Sequence, residues 1–472
     1  MSRESPRAEC VGRRSSLKLR YVAALLALAL VSPFVAFHAW DRVEAWRVGT
    51  RIDRIARSGQ PVAIDAASGE TPATAEQKRA SRVYGEAVRR SLSAHGARFM
   101  DAGSLITRLA ELPAGEAPGA EQLGRLQALE TEYTVALQLL DEATSLDAQG
   151  FAPADRPKFD MDARNLANVN AVRIARLALA GDQDGSARAL LATLRLGRMS
   201  SAYWRRYTLP TSHSLHLVLE AGAPPPAVLA ALQREYERIE QDLDVGQALL
   251  YDRARLLSFM QPGDLGEGLA AVSALSGRRP AAFEALAYRL LRPMRRHSMV
   301  TALDGYGAAL DVARQPWPAK LDATEDLSRR RPANRSSRRR SFVQQGVAPW
   351  GSNVGTQALI SLVPATAENL ARAHASTTAL AIARYATDHA GDLPAALDLL
   401  VPKYLRTVRQ DPFSGASMRY VRRGSAYAVY SIGANRRDDG GRWYVASDLL
   451  PGRGAPEDVG LASGEWPHHG RR

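Results

Sequence analysis

Two histidines near the middle of the chain have a spacing that suits metal ligands on a helix. His213 and His216, in the segment Thr-Ser-His-Ser-Leu-His, are three residues apart and would share one helix face. Glu220 is the nearest acidic residue, and no cysteine or second spaced carboxylate completes a site. Packing or surface histidines are therefore the favoured interpretation, and a hydrolase site built on these residues is the alternative.

An arginine run is the second group of residues that could bind a ligand. Between Arg329 and Arg340 there are seven arginines and no acidic residue. Guanidinium groups pair bidentately with phosphate, so the run could bind anionic lipid or polymer, although it lacks the aromatic residues of single-strand binders. The alternative is a solvated linker, because like charges repel and apolar residues are missing. The seven residues are Arg329, Arg330, Arg331, Arg335, Arg338, Arg339 and Arg340.

The sequence lacks the common catalytic motifs, apart from Ser15-Ser16-Leu17-Lys18, a Ser-x-x-Lys match in the tail before the first apolar run that is discounted. There is no His-Glu-x-x-His, no Gly-x-Ser-x-Gly and no phosphate loop that ends in Gly-Lys-Ser/Thr. The single cysteine, Cys10, precedes the first apolar run, so no disulfide can form within the chain. A non-enzymatic protein is therefore favoured, and no catalytic residue is assigned.

The positive charge is concentrated in two short segments. The formal net charge is +13, of which residues 1–20 contribute +4 and the arginine run contributes +7. The rest of the chain is close to neutral, so a nucleic-acid-binding domain is not expected.

A membrane anchor is predicted near the N-terminus. Tyr21 to Trp40 is a run of twenty residues without Asp, Glu, Lys or Arg, which is long enough to cross a hydrocarbon core of about 30 Å. Bulky residues at the exit argue against a cleaved signal peptide. We expect a basic cytoplasmic tail over residues 1–20, a transmembrane helix over 21–40, and the rest of the chain in the periplasm of a bacterium.

The remaining chain is predicted to be mainly α-helical. Residues 41–327 carry apolar side chains at helical spacing, for example along Glu121 to Leu146, with the turn Gly181 to Gly185 between two helices. No fixed repeat period is present, so irregular helical hairpins are expected. Residues 328–357 form an Arg-rich and Gly/polar linker.

A small α+β module is predicted over residues 358–450, followed by a polar tail over 451–472. A helix ends near His389, a short helix ends at Leu400, and two alternating segments around Arg423-Gly424-Ser425 indicate an antiparallel hairpin.

The order of these features resembles a known family. Asp411-Pro412-Phe413-Ser414-Gly415, the tyrosine-rich hairpin and Tyr430-Ser431-Ile432-Gly433-Ala434-Asn435 resemble the C-terminal globular part of the type II secretion major pseudopilins. The same ending occurs in uncharacterised bacterial envelope proteins. The resemblance implies an envelope location and a role related to secretion or assembly. The pseudopilin processing site, with Gly before Phe and a Glu five residues into the mature chain, is missing here.

The resemblance also implies a calcium site. Major pseudopilins bind calcium in the loop after Ser-x-Gly-Ala-Asp, and here Asn435, Asp438, Asp439 and Asp448 would supply oxygen ligands. Asn435 replaces the usual Asp, and Arg436 and Arg437 add positive charge. A glycine-terminated turn, with the Asp side chains bonded to the backbone, is the alternative.

Three hypotheses follow from the sequence. The first is a single-pass, non-enzymatic envelope protein that contacts a protein partner through its helical domain. The second is a membrane-bound hydrolase with a site among the helices. The third is a binder of anionic lipid or polymer, in which case replacing the seven arginines by Gln would abolish salt-sensitive binding to anionic vesicles.

Overall fold

The structure is a computed structural model that describes most of the chain in separate stretches. These are residues 8–63, 66–67, 74–92, 118–146, 156–199, 211–260, 292–329, 354–442 and 458–463, with only the backbone described for 8–28, 30 and several helix ends. Within them the chain forms twelve α-helices, one short 3-10 helix and one antiparallel sheet of three strands. The prediction of a mainly helical fold with a small antiparallel sheet is confirmed.

The elements are numbered in chain order. The first six helices are α1 (Ala8–Arg57), α2 (Ala75–Leu92), α3 (Ala120–Glu132), α4 (Thr134–Ser145), α5 (Arg156–Leu179) and α6 (Gln183–Met199). The other six are α7 (Thr211–Glu220), α8 (Pro226–Asp242), α9 (Val245–Met260), α10 (Arg292–Ala313), α11 (Ala319–Arg329) and α12 (Val354–Asp388). The 3-10 helix is Leu397–Leu400, and the strands are β1 (Arg419–Arg423), β2 (Ala426–Ser431) and β3 (Val459–Ser463).

The predicted turn between two helices is present at Gly181 but is shorter than predicted, because α6 already begins at Gln183. This residue has a φ of 76°, in the left-handed region that favours glycine, and it separates α5 from α6. The Asp182 carboxylate then accepts the backbone N–H of Gly185 at 2.8 Å, which caps the start of α6. A local signal in the sequence was therefore sufficient to predict this turn.

The helix predicted along Glu121 to Leu146 is two helices. Tyr133 leaves the α-helical conformation, with φ −103° and ψ 13°, and so separates α3 from α4. Leu126, Leu137 and Leu140 are buried as the spacing predicts, whereas Leu123 is 39% exposed.

Helix α1 is longer than the predicted transmembrane segment. It begins at Ala8, inside the expected tail of residues 1–20, and continues to Arg57. Within the described part of the chain, no helix combines the length and the apolar character needed to cross a membrane.

The chain divides into two compact units, and the first combines separate segments. It contains the described residues of 1–62, 256–307 and 333–355. Its apolar core joins α1, α9 and α10 through Val48, Ile52, Leu257, Met299 and Leu303. The C-terminal part of α1 is thus a packing element of a folded unit.

The second unit contains the described residues of 63–255, 308–332 and 356–472. Its largest core brings side chains of α5 to α8 together with α12 and the strands, for example Leu194, Leu229, Leu380 and Val429. A second core in this unit joins α2, α4, α5 and α6 around Tyr84 and Leu140.

These units do not coincide with the predicted domain boundaries. The segments expected to form a helical domain over 41–327 and a module over 358–450 share one core, because α12 and β2 bury apolar residues against α6 and α8. Of the expected linker over 328–357, residues 328–329 belong to α11 and residues 354–357 to α12, and residues 330–353 lie outside the described residues.

The sheet has the strand order β1-β2-β3, and each neighbouring pair is antiparallel. The predicted hairpin is present, with Val421 opposite Ala428 and a turn at Gly424-Ser425. The third strand lies in residues 451–472, where a polar tail was expected, so that prediction is wrong for residues 459–463. Val429 of β2 pairs with Leu461 of β3, and Ala428 pairs with Ala462. All four apolar residues are buried.

Candidate functional site

Asp411 connects the two segments that carry the pseudopilin resemblance. Its side chain is 1% exposed, and its carboxylate accepts the backbone N–H of Phe413 at 2.9 Å and the Ser414 hydroxyl at 2.8 Å. It also accepts the Ser431 hydroxyl at 2.6 Å and the backbone N–H of Ile432 at 3.3 Å. The tight turn and the end of β2 are therefore fixed to one buried charge.

The loop that follows β2 is built from turns stabilised by side chains. Ser431 accepts the N–H of Gly433 at 3.1 Å, and Asn435 accepts the N–H of Arg437 at 2.9 Å. The amide of Asn435 donates to Asp439 at 2.8 Å. The predicted oxygen ligands Asn435 and Asp439 thus contact each other.

Asp438 contacts the sheet. Its carboxylate accepts the hydroxyl of Tyr430 at 3.0 Å and the N–H of Gly440 at 3.0 Å, and it lies 3.6 Å from the Arg419 guanidinium. Burial, and then the hydrogen bond to Asp438, raise the pKa of Tyr430, so the hydroxyl stays protonated.

Asp458 is an acidic residue of this loop region that the sequence analysis missed. It is 1% exposed and accepts the N–H groups of Asp439 at 3.3 Å and Gly441 at 2.8 Å. Burial is the main cause that raises the pKa of Asp458 to about 6, and the nearby Asp439 and Asp438 carboxylates add to it. The signal that could have found Asp458 is its position directly before Val459-Gly460-Leu461-Ala462, a short apolar run.

The described part of the loop does not by itself form a metal cage. Within the described residues, no three of His, Cys, Asp and Glu lie close enough together to hold a metal ion. The bonds of Asp438 and Asp458 to backbone N–H groups are those of the glycine-terminated turn. Asp448, the fourth predicted ligand, lies outside the described residues. A calcium ion would need the oxygens of Asn435, Asp438, Asp439 and Asp458 to exchange their present partners.

Arg436 belongs to a different set of interactions. Its guanidinium lies 2.6 Å from Asp322 and 3.3 Å from Glu325, both on α11 in the same compact unit. Because the positive charge of Arg436 is paired with two carboxylates, it would repel a calcium ion in the loop less strongly than an unpaired arginine would.

His216 connects α7 to the sheet. Its Nδ1 atom lies 2.8 Å from the backbone carbonyl oxygen of Ala462 in β3. This contact favours the packing interpretation of His216. Glu220 is exposed at the end of α7, and the side chain of His213 lies outside the described residues.

Arg329 is the one member of the arginine run within the described residues. It ends α11, where its guanidinium lies 3.3 Å from Glu325 and 3.5 Å from Asp326. Arg330, Arg331, Arg335, Arg338, Arg339 and Arg340 lie outside the described residues.

Comparisons with family models, with curated proteins and with solved structures find no match for this chain. The pseudopilin resemblance therefore rests on the quoted residues and on their order along the chain.

Proposed function

We propose that this chain is a single-pass membrane protein of the bacterial envelope, with a non-enzymatic folded body that contacts a protein partner in the periplasm. The change of environment along α1 carries this proposal. Val31, Phe34 and Val35 are exposed in the predicted span, whereas two carboxylates of the same helix, those of Asp41 and Glu44, are buried directly after it.

The exposed apolar side chains are concentrated on α1. Val31, Phe34 and Val35 are 54%, 66% and 57% exposed, and Trp40 and Trp46 are 44% and 69% exposed. Soluble surfaces seldom expose such a group together, and lipid would cover it. Tryptophan is typical of the membrane–water interface, which suits Trp40 at the end of the predicted span and Trp46 six residues beyond it.

Directly after Trp40 the helix contacts protein. Asp41 is 5% exposed, and its carboxylate lies 2.6 Å from Arg292 and 2.8 Å from Arg296 of α10. Glu44 is 2% exposed and lies 3.1 Å from Arg47 and 3.3 Å from His297. Buried carboxylates need such partners, so this cluster supports a folded body that begins at about residue 41.

Membrane extraction of a charged variant tests the anchor. Leu28→Arg/Leu30→Arg places two cations at the centre of the run, at a cost of about 3 kcal/mol each for insertion. We expect the wild type to stay with the membrane in alkaline carbonate and the variant to be released. The control Leu123→Arg/Leu399→Arg changes two leucines that are 39% and 52% exposed elsewhere. Equal extraction of all three proteins would contradict the anchor.

Thiol labelling tests the orientation. In intact cells with a permeable outer membrane, a membrane-impermeant maleimide should not label the native Cys10. The variant Cys10→Ser/Leu399→Cys, with its thiol at an exposed position of the folded body, should be labelled without lysis. The opposite pattern would place the body in the cytoplasm and refute the periplasmic location.

We also propose calcium as a structural ligand of the loop at residues 435–441. Burial is the main cause of the raised pKa of Asp458, and the nearby Asp439 and Asp438 carboxylates raise it further by charge repulsion. A hard cation with oxygen ligands would relieve that repulsion.

A further inference from the structure

A cleft opens where helices α8 and α12 meet the segment at residues 402–406. All three elements belong to the second compact unit. The cleft has a volume of about 200 Å³, and the charged residues that line it are Arg234, Glu237, Arg384, Lys403 and Arg406. Pockets for drug-sized ligands are about 300–1,000 Å³, so this cleft suits a small group.

The base of the cleft is held in place by Gln233, which is 4% exposed. Its amide oxygen accepts Arg384 at 2.8 Å, and its amide nitrogen donates to the Tyr404 carbonyl at 2.7 Å and to Glu237 at 3.1 Å. Every polar atom of this side chain has a partner. Arg384 is thus held by the neutral amide of Gln233. This hydrogen bond does not neutralise the positive charge of Arg384.

Lys403 is held at the wall of the cleft. Its ammonium group lies 2.7 Å from Asp388, which also accepts the hydroxyl of Tyr404 at 2.6 Å. These hydrogen bonds to Asp388 and Tyr404 raise the pKa of Lys403 to about 12, so it is cationic at any physiological pH.

Arg234 and Arg406 are exposed at the rim. Among the described residues, neither guanidinium has an ion-pair partner, whereas Glu237 is 3.5 Å from Arg409. Four cations and one carboxylate give the lining a formal charge of +3, or +2 when Asp388 is included. A concave surface with a net positive charge concentrates the field and attracts an anion.

We infer that this cleft is a binding site for a small phosphate-bearing anion. Arg234 and Arg406 would pair with its oxygens, and Arg384 would supply positive charge behind them, since the charge of Lys403 is shared with Asp388. A phosphate group carries nearly two negative charges at neutral pH and accepts bidentate arginine contacts, which matches the charge and the size of the cleft. The phosphate can belong to a free metabolite or to the headgroup of an anionic lipid.

Calorimetric titration of the full chain in neutral detergent tests this inference. The probes are inorganic phosphate, pyrophosphate and acetate at constant ionic strength. We expect saturable binding of pyrophosphate, weaker binding of phosphate and none of acetate. Removing two charge-assisted contacts in Arg234→Gln/Arg406→Gln should raise the Kd for pyrophosphate at least about tenfold.

A matched control separates the cleft from general surface charge. Arg82→Gln/Arg125→Gln removes two exposed arginines of the same compact unit outside the cleft, and it should leave the Kd unchanged. The proposed site would be refuted if both double variants bound pyrophosphate equally more weakly than the wild type. It would also be refuted if the wild type showed no saturable binding. Acetate binding as tight as pyrophosphate binding would overturn the phosphate assignment. If the double variant unfolds, Arg406→Gln alone should still weaken binding, since Arg406 lies on an exposed segment.

A second titration identifies the source of the phosphate. Short-chain phosphatidylglycerol below its micellar concentration presents the lipid headgroup, and pyrophosphate presents the free anion. Tighter binding of the lipid, lost in Arg234→Gln/Arg406→Gln, supports a headgroup site. Tighter binding of pyrophosphate supports a site for a free phosphate.

Discussion

Replacement of Asp411 by Ala should unfold or loosen the turn and the end of β2 together. The buried carboxylate accepts four hydrogen bonds, from the backbone N–H groups of Phe413 and Ile432 and the hydroxyls of Ser414 and Ser431. The two N–H groups and the Ser431 hydroxyl are buried, so alanine would leave three donors without an acceptor. Breaking a buried charged network of this kind costs about 3–5 kcal/mol.

Asp411→Asn keeps the shape of the side chain and removes the carboxylate, so it tests the contribution of the carboxylate by itself. The amide oxygen can still accept Phe413 N–H and the Ser431 hydroxyl, and its NH₂ group can donate to Ser414. That NH₂ group would, however, face the N–H of Ile432, so two donors would meet. We therefore expect an intermediate loss of about 1–3 kcal/mol.

Chemical unfolding of the full chain in detergent measures these losses, with hydrogen exchange at Phe413 and Ile432 as the local probe. The control is Asp392→Ala, at an exposed position on the preceding segment, which should change stability by less than about 0.5 kcal/mol. Stability and exchange in Asp411→Ala that match the control would refute the role given to Asp411.

Three further outcomes are expected. Because Asp458 has a folded-state pKa of about 6, above its usual 3.8, the folded state holds a proton that the unfolded state releases. Stability should then fall as pH rises from about 4 to about 6, by at most about 3 kcal/mol, and Asp458→Asn should remove that slope; an unchanged slope in a pH series of melts would contradict it. Calcium at millimolar concentration should raise the melting temperature of the wild type and not of Asp438→Asn/Asp439→Asn; no shift for the wild type would remove the calcium proposal. His216→Ala should lower the free energy of unfolding, because the contact with Ala462 of β3 is lost. The enzymatic hypothesis would be favoured instead if a broad screen found hydrolase activity in the wild type and the variant lost that activity with its stability unchanged.

Local features of the fold could be predicted from the sequence because each depends on neighbouring residues. The turn at Gly181 requires a left-handed residue between two helical patterns, and the hairpin turn at Gly424 follows from alternation on both sides. The end of the long helix, expected near His389, lies at Asp388. The candidate loop was also predicted as a turn rich in acidic residues.

Features that join distant segments could not be predicted in this way. Strand β3 is five residues long and begins 28 positions after β2 ends at Ser431, so its pairing leaves no local pattern. The same is true of Asp411, whose carboxylate reaches Ser431 across 20 residues, and of Asp458, which reaches back to Gly441.

The sequence by itself thus determined the helical composition, the turns, the hairpin and the apolar run at residues 21–40. Only the tertiary structure decided that α8 and α12 share one core, and it is this packing that places Gln233 against Tyr404 and forms the cationic cleft. The physical reason is that helix and turn formation depend on a few consecutive residues. The burial of a charge and the shape of a cleft depend instead on which distant apolar faces pack together.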